Sequence, residues 1–344
     1  MNASITRRGL VAVGLGLPLA IPAVVRARVA EPLRLRCSLD TVPSHSRNAG
    51  VRAFLKQFEA AAAGEVRVEL FESGQLYPDL AVSKALLQGQ VEMAVPGSWT
   101  LTGLIPNADF FQIPTLYGRT REEVHRVIDG SPGRLLAAEI SQKLRVQVLG
   151  PWLDLGFFNW YTTRKPLRSL ADLQGLKIRN AGGAGQAWRA RFFGAIPNTT
   201  ALPDVPLALS QGTFDGIATT NETIASGQFW ESGIAYALED HQFVGVYIPL
   251  VSLAFWNRLT PDLQAKMTAL WTDGIGRWRA DMAAAQDRAR ETMLTHRVSF
   301  AAPDADEIAA TRKRMLAEPD GATAGVKVSP ELLAAIKAAV GNAT

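Results

Sequence analysis

Histidine is the residue type that most often combines acid–base catalysis with metal binding. The chain has four, at positions His45, His125, His241 and His296, and none lies at the spacing of a metal-ligand motif such as H-E-x-x-H. The chain also lacks a G-x-S-x-G nucleophile elbow and a Walker loop. The sequence therefore gives no evidence for catalysis, and we expect neither a metal ion nor a cofactor.

A glycine-rich turn is the one feature that suggests phosphate binding. Gly182-Gly183-Ala184-Gly185 follows a predicted strand and opens a predicted helix, where backbone N–H groups can face an anion. The turn lacks the full G-x-G-x-x-G pattern and lies in the second half of the chain. We therefore do not predict nucleotide binding.

The distribution of charge argues against nucleic acid as a partner. The net charge is +4, and residues 1–30 carry four arginines and no acid, so the rest of the chain is neutral. A neutral chain has no electrostatic attraction for nucleic acid or for an anionic membrane. Hydrophobic residues make up 47% of the sequence, which is enough for sizeable cores.

The N-terminus has the pattern of an export signal. Arg7-Arg8 precedes the apolar stretch 10–25, which is too short for a stable membrane span. Paired arginines before such a mild apolar stretch indicate twin-arginine export. The alternative is a general secretory signal in which both arginines occur by chance. Cleavage after Ala27 or Ala30 would release the mature chain into the periplasm.

Apolar periodicity predicts an α/β protein with two lobes. In the first lobe, a β-α-β-α-β order argues for a largely parallel sheet. Its predicted elements are Leu33–Leu39, Ala49–Ala62, Val66–Phe71, Leu80–Leu87 and Val91–Val95. The second lobe begins after Pro151, and its predicted elements are Phe157–Tyr161, Leu176–Arg179, Ala184–Phe193, Leu207–Ser210 and Phe214–Ala218.

The two predicted lobes share a short sequence pattern. Segments 85–92 and 208–215 are identical at four of eight positions, and both end in an acid. Each predicts a helix end, a glycine cap and a new strand. A common helix–strand turn that arose twice is the alternative to two lobes of related topology.

A long amphipathic helix is predicted in the last third of the chain. Thr260-Pro261-Asp262 is a helix start, and apolar residues then recur at helical spacing as far as Met293, roughly nine turns. A helix of this length should span both lobes, and helices Ala305–Leu316 and Pro330–Val340 follow it. We expect lobe I to comprise residues 31–155 with 245–284, and lobe II residues 156–244 with 285–344.

Several motifs occur in the order and spacing of one protein family. The stretch 167–179, L-R-S-L-A-D-L-Q-G-L-K-I-R, resembles the signature of solute-binding proteins of tripartite ATP-independent periplasmic (TRAP) transporters. Segments 73–76, 88–92 and 193–216 are similar to the same family. The resemblance implies a two-lobed periplasmic binding-protein fold with a ligand cleft between the lobes. It also implies that the lobes close on the ligand.

The resemblance also implies which residues contact the ligand. In this family the arginine that ends the G-L-K-I-R strand pairs with the ligand carboxylate, and here it is Arg179. A planar guanidinium can meet a carboxylate through two parallel hydrogen bonds. The same register places the following residues at the cleft: Asp40, Asp79, Ser98, Trp99, Asn159, Leu202 and Thr219.

The chain departs from the family pattern at two positions. Many members carry a second arginine upstream of the first, where this chain has Phe158 or Asn159. A common ligand-binding asparagine is replaced by Thr219, with Asn221 two residues on. The site should therefore be less cationic, and four tryptophans in or near the predicted cleft favour a bulkier or partly apolar acid: Trp99, Trp152, Trp160 and Trp188.

The sequence leads to one main hypothesis and two alternatives. The main one is a monomeric periplasmic receptor that captures a small organic carboxylate and delivers it to one small and one large membrane subunit. An exported enzyme on the same two-lobed scaffold is the first alternative, since fold alone does not decide function. The second is the binding component of another importer or of a sensor system.

Overall fold

Two separate β-sheets organise the protein. The computed structural model describes residues 31–318 and 326–341, so the predicted export signal lies outside the described residues. The strands are β1 Leu33–Ser38, β2 Val66–Phe71, β3 Met93–Ala94, β4 Val146–Val148, β5 Leu153–Thr162, β6 Lys177–Asn180, β7 Ile196–Thr199, β8 Gly216–Thr219, β9 Tyr236–Tyr247, β10 Leu250–Ser252 and β11 Ser299–Ala301. The first sheet has the order β2-β1-β3-β10-β4 and the second has the order β11-β9-β5-β8-β6-β7.

Helices pack on both sheets. They are α1 Ser46–Ala61, α2 Asp79–Leu87, α3 Arg121–Ile128, α4 Ser131–Leu144, α5 Ala184–Phe192, α6 Val205–Ser210, α7 Asn221–Ser226, α8 Leu253–Trp256, α9 Pro261–Thr295, α10 Ala305–Ala317 and a final helix Pro330–Val340. None of the described helices combines the length and the hydropathy that a membrane span requires.

The first sheet contains the predicted β-α-β-α-β unit. Strand β1 pairs in parallel with β2 and with β3, and helices α1 and α2 connect them. Strand β10 then lies antiparallel between β3 and β4. The parallel part of the sheet follows from the sequence pattern, whereas the antiparallel part depends on a strand that returns from the second sheet.

Strands β5 and β9 run from one hydrophobic core into the other. They pair antiparallel from Leu153 opposite Tyr247 to Thr162 opposite Tyr236. Leu153 and Tyr247 belong to the core of the first sheet, while Tyr161 in β5 packs in a core of the second. The two lobes are therefore joined by continuous β-structure.

Helix α9 has the predicted length and also joins the cores. The Thr260 hydroxyl accepts a hydrogen bond from Leu263 N and caps its start. Trp271 packs edge-on against Phe54 of α1, with 5.2 Å between ring centroids. Near the other end of α9, Met293 packs in a core of the second sheet. One straight element thus contacts both halves of the molecule.

A single side chain of α9 connects β5 to α7. Gln286 Nε2 donates to Leu155 O at 2.6 Å, and its Oε1 accepts from Glu222 N at 3.0 Å. Gly156 adopts φ +100°, and a Cβ there would lie 2.9 Å from the Gln286 side chain. Only glycine fits this bulge without displacing the glutamine.

The final helix completes the core of the first sheet. It packs against α3 and α4, and its Leu332 and Ile336 side chains are buried in the same core as β1 and β3. The final helix therefore packs with the first sheet, whereas the sequence pattern assigns residues 285–344 to lobe II, because its apolar face is buried by α3 and α4.

Candidate functional site

A cavity lies where strand ends of the two sheets face each other. Its polar residues follow or end parallel strands, the usual position of ligand sites in α/β folds: Asp40 after β1, Trp99 after β3, Arg179 in β6 and Thr219 at the end of β8. The full lining is Asp40, Asp79, Leu80, Trp99, Thr100, Leu155, Phe158, Arg179, Ala181, Leu202, Thr219, Thr223 and Tyr247.

Arg179 brings a buried guanidinium to this cavity. The residue is 2% exposed, and Nε donates a hydrogen bond to Thr200 O at 2.9 Å. Among the described residues, no carboxylate forms an ion pair with it. Burial lowers the pKa of Arg179 to about 10, while the charge of Asp40 and the neighbouring Tyr247 oppose that change. The guanidinium therefore stays charged at neutral pH, and its two terminal nitrogens remain available to a ligand.

A second arginine, Arg47, is held between two acids of the cavity. Its Nη2 donates to Asp40 Oδ1 at 2.7 Å and its Nη1 donates to Asp79 Oδ2 at 2.8 Å. The side chain is fully buried, and its guanidinium stacks on the Tyr247 ring at 4.0 Å from the centroid. Because two carboxylates already compensate its charge, Arg47 organises the site and is not free to bind an anion.

Asp79 keeps one carboxyl oxygen for a ligand. Its Oδ2 is taken by Arg47, but the buried Oδ1 has no hydrogen-bond partner among the described residues. Burial raises the pKa of Asp79 well above its usual value, against the opposing effect of Arg47. A hydroxyl or carbonyl group of a ligand could satisfy this oxygen in either protonation state.

Aromatic rings form one wall of the cavity. Trp99 packs edge-on against Phe158, with 5.1 Å between centroids, and lies 5.7 Å from the Tyr247 ring. Leu155 and Leu202 extend this apolar surface. The cavity thus pairs a small charged region with a larger apolar one, the usual composition of a small-molecule site.

The glycine-rich turn considered above for phosphate is occupied by a carboxylate of the protein. Asp109 Oδ2 accepts a hydrogen bond from Gly185 N at 2.7 Å, at the start of α5. A Cβ at Gly183 would lie 2.8 Å from Asp109 Oδ1, and Gly183 has φ +81°. The turn therefore needs glycine for close approach of the acid, and the acid takes the place of a phosphate.

Six of the eight predicted ligand-binding residues line the cavity. They are Asp40, Asp79, Trp99, Arg179, Leu202 and Thr219. Ser98 is buried beside Trp99 but does not line it. Asn159 also lies elsewhere, because its Oδ1 accepts a hydrogen bond from His241 N at 3.1 Å. Phe158 occupies the cavity position for which the sequence offered Phe158 or Asn159.

Several residues of the cavity were not predicted from the sequence, among them two polar lining residues and the arginine that holds its acids. Tyr247 and Thr223 line the cavity, and Arg47 holds its two acids in place. Arg47 begins a helix, where a basic residue is usually solvated, and nothing local distinguishes it from a surface charge. Of the four tryptophans considered, Trp99 alone lines the cavity.

No metal centre competes with this site in the described part of the chain. There, no three His, Cys, Asp or Glu residues are grouped closely enough to hold a metal ion.

Comparison with known proteins identifies the family. The model of bacterial extracellular solute-binding proteins, family 7, matches residues 40–320. The chain belongs to this family. This solute-binding protein is thus of the TRAP type, as its motifs predicted, and it is a binding protein rather than an enzyme. The predicted periplasmic location is confirmed as well.

Its relatives carry names of acid-binding proteins. The C4-dicarboxylate-binding periplasmic protein DctP of Rhodobacter capsulatus is 28% identical over 255 residues, which are 74% of this chain and 73% of that protein. The 2,3-diketo-L-gulonate-binding periplasmic protein YiaO of Escherichia coli (strain K12) is 25% identical over 235 residues, 68% of this chain and 70% of that protein.

Solved structures show the same fold. The sugar acid binding protein DctPAm of Advenella mimigardefordensis, in complex with galactonate, has a TM-score of 0.83 at 20% identity and covers 90% of this chain and 99% of its own. A TRAP solute-binding protein of Sulfurospirillum deleyianum with bound succinate has a TM-score of 0.80 at 22% identity and covers 89% and 99%. The predicted two-lobed α/β fold with its long helix is confirmed.

Proposed function

We propose that this protein is the receptor of a TRAP importer and captures a small organic carboxylate through Arg179. The family gives the receptor role, and the relatives and structural neighbours named above bind acids. The observation that carries the proposal is the Arg179 guanidinium, buried at the cavity with no acidic partner among the described residues. A buried charge without a partner is costly, and a ligand carboxylate would compensate the charge of Arg179.

The other proposed contacts follow from the cavity lining. Asp79 and Thr219 offer polar atoms, while Trp99 and Leu202 offer apolar surface. Asp40 keeps Arg47 in place beside them. Neither Asn159 nor Ser98 lines the cavity, so we leave both out of the proposed set.

We further propose that the lobes close on the ligand. Residues of both lobes already meet at the cavity: a Cβ at Gly182 would lie 3.2 Å from Leu80 and 3.3 Å from Trp99 O. The proposed lobe I comprises residues 31–155 with 245–284 and the final helix packed on it, and lobe II comprises the rest of the mature chain. The receptor would work as a monomer with one small and one large membrane subunit.

Two substitutions test the role of Arg179. A thermal-shift screen over small carboxylates first identifies the ligand, since binding to the folded state alone raises the melting temperature. Replacing Arg179 with alanine should then weaken binding by roughly two to four orders of magnitude, because two charge-assisted hydrogen bonds are lost. Arg179→Lys should restore part of the affinity, since it keeps the charge but loses the planar fork.

Lys177→Ala is the matched control on the same strand. Lys177 is exposed and lies outside the cavity, so its replacement should leave the affinity unchanged. Calorimetric titration gives each affinity, and circular dichroism verifies that each variant is folded. A folded Arg179→Ala protein that binds within about threefold of the wild type would show that Arg179 is not the anchor.

A further inference from the structure

A second cavity adjoins the ligand cavity. The two cavities share Asp40, Leu202 and Thr223 as lining residues, so they are neighbours with a common boundary. The residues found only in the second cavity are Thr41, Val42, His45, Ser73, Pro203, Pro206, Ser226, Gly227 and Phe229. Leu202 therefore lies between the cavity that contains Arg179 and the second cavity.

The second cavity offers apolar surface and no cation. Val42, Pro203, Pro206 and Phe229 supply aliphatic and aromatic walls, and no lysine or arginine of the described residues lines it. Its one basic side chain, His45, already contacts Glu222, with 2.9 Å between Nε2 and Oε2. The boundary residue Asp40 is itself paired with Arg47 and so offers no free charge to this cavity.

The ligand cavity has one available cation. Among the described residues, Arg179 is the only lysine or arginine that lines it, and the charge of the nearby Arg47 is compensated by Asp40 and Asp79. Across both cavities, Arg179 is thus the single cationic group of the described residues that is available for an anion. A second carboxylate on the ligand would face apolar walls or the already paired carboxylate of Asp40, and an uncompensated charge in such surroundings is strongly disfavoured.

We propose that the ligand is a monocarboxylic acid with an apolar tail, whose tail passes Leu202 into the second cavity. This inference rests on the proposed function, because it takes the Arg179 contact as the position of the carboxylate. The tail then packs against Val42, Pro206 and Phe229, where burial of each added methylene removes apolar surface from water. The tail, more than the single ion pair, decides which acid binds best.

A series of straight-chain acids tests this directly. Wild-type protein is titrated calorimetrically with propanoate, butanoate, pentanoate, hexanoate and octanoate. The affinity should rise by roughly threefold for each methylene that enters the second cavity. Succinate should bind at least about tenfold more weakly than butanoate, because its second carboxylate meets no cation.

A variant that fills the second cavity locates the tail. Val42 lines this cavity and not the other, so Val42→Trp should remove the gain with chain length while leaving the affinity for propanoate within about twofold. Val42→Ala, which leaves the space open, is the control and should keep the dependence on chain length. Circular dichroism verifies the fold of both variants.

The outcomes separate this inference from the proposed function. An affinity that stays flat along the series, or stronger binding of succinate than of butanoate, overturns the inference while Arg179 can still be the anchor. The same conclusion follows if none of the monocarboxylates binds. If the acids bind equally well to Arg179→Ala, the proposed function itself fails.

Discussion

Glu222 and His45 join elements of the two lobes: Glu222 Oε2 lies 2.9 Å from His45 Nε2, and both side chains are buried. Ser46 donates to the other oxygen of Glu222 from both its backbone N and its hydroxyl. His45 Nδ1 accepts a hydrogen bond from Arg47 N, so the proton of a neutral His45 ring resides on Nε2, which lies 3.3 Å from Thr223 Oγ1 and 2.9 Å from Glu222 Oε2. Glu222 therefore holds the start of α1 from the neighbouring helix α7.

Replacing Glu222 should favour an open arrangement of the lobes. Helix α1 packs on the first sheet, whereas Ile224 of α7 packs in a core of the second, so the Glu222 contacts form fully only when the lobes are together. Glu222→Ala should lower the apparent ligand affinity about tenfold, because it removes charge-assisted hydrogen bonds from the closed state. Calorimetric titration measures the affinity, and small-angle scattering with and without ligand measures how compact the protein is.

Glu231→Ala is the control for this prediction, because Glu231 is exposed in the same region of the chain. The control should bind normally and become more compact with ligand, as the wild type should. A Glu222→Ala protein with normal affinity would show that its contacts are equally strong in the open state. Absence of compaction in the wild type would contradict lobe closure itself.

Removing Arg47 should strongly destabilise the protein. Arg47→Ala leaves the buried carboxylates of Asp40 and Asp79 without their partner, which should lower the free energy of unfolding by about 3–5 kcal/mol. Arg52→Ala removes another arginine–carboxylate pair of α1, but Arg52 is 46% exposed, so the loss should stay below about 1 kcal/mol. Urea unfolding measures the free energy of unfolding of both variants. Equal losses of stability in Arg47→Ala and Arg52→Ala would contradict the structural role of Arg47.

The buried carboxyl of Asp240 should make stability depend on pH. Its Oδ2 accepts hydrogen bonds from Tyr117 Oη and Trp160 Nε1, each 2.9 Å long. Burial raises the pKa of Asp240 to about 7, whereas these hydrogen bonds lower it. The folded state thus holds the proton more tightly than the unfolded state, and the free energy of unfolding should fall as pH rises from about 4 through 7.

Asp240→Asn should reduce this pH dependence. The amide can accept the same two hydrogen bonds without becoming charged. The decrease in the free energy of unfolding between pH 4 and 8 should therefore be smaller by roughly 1–4 kcal/mol. Part of the slope should remain, because burial also raises the pKa of Asp109, to about 6. Asp273→Asn, on the exposed face of α9, should leave the wild-type slope intact. If the free energy of unfolding of Asp240→Asn depended on pH as strongly as that of the wild type, Asp240 would be ionised over the whole range from pH 4 to 8.

The paired arginines near the N-terminus should direct export. Replacing Arg7 and Arg8 with lysine keeps the charge but should leave precursor in the cytoplasm if the twin-arginine route is used. Fractionation followed by immunoblotting locates the precursor and the mature form. Normal periplasmic accumulation of the double-lysine variant would exclude this route but not export by another one.

The sequence by itself determined the family, the parallel β-α-β-α-β unit and the long helix α9. These features depend on local patterns: strand and helix periodicity, caps such as Thr260, and motifs read along the chain. The position of Arg179 at the cavity also followed from its motif, because a strand end in this fold faces the cleft. All of these patterns are formed by residues that are close together in the sequence.

Only the tertiary structure decided which side chains meet. Phe158 lines the cavity whereas Asn159 binds His241 N, and the register of β5 shifts between Phe158 and Trp160, which no local pattern reveals. Arg47 is fixed by Asp79, 32 positions away, and by the ring of Tyr247 in the distant strand β9. Such contacts depend on how distant elements pack, because burial and charge compensation are properties of the assembled core rather than of any segment.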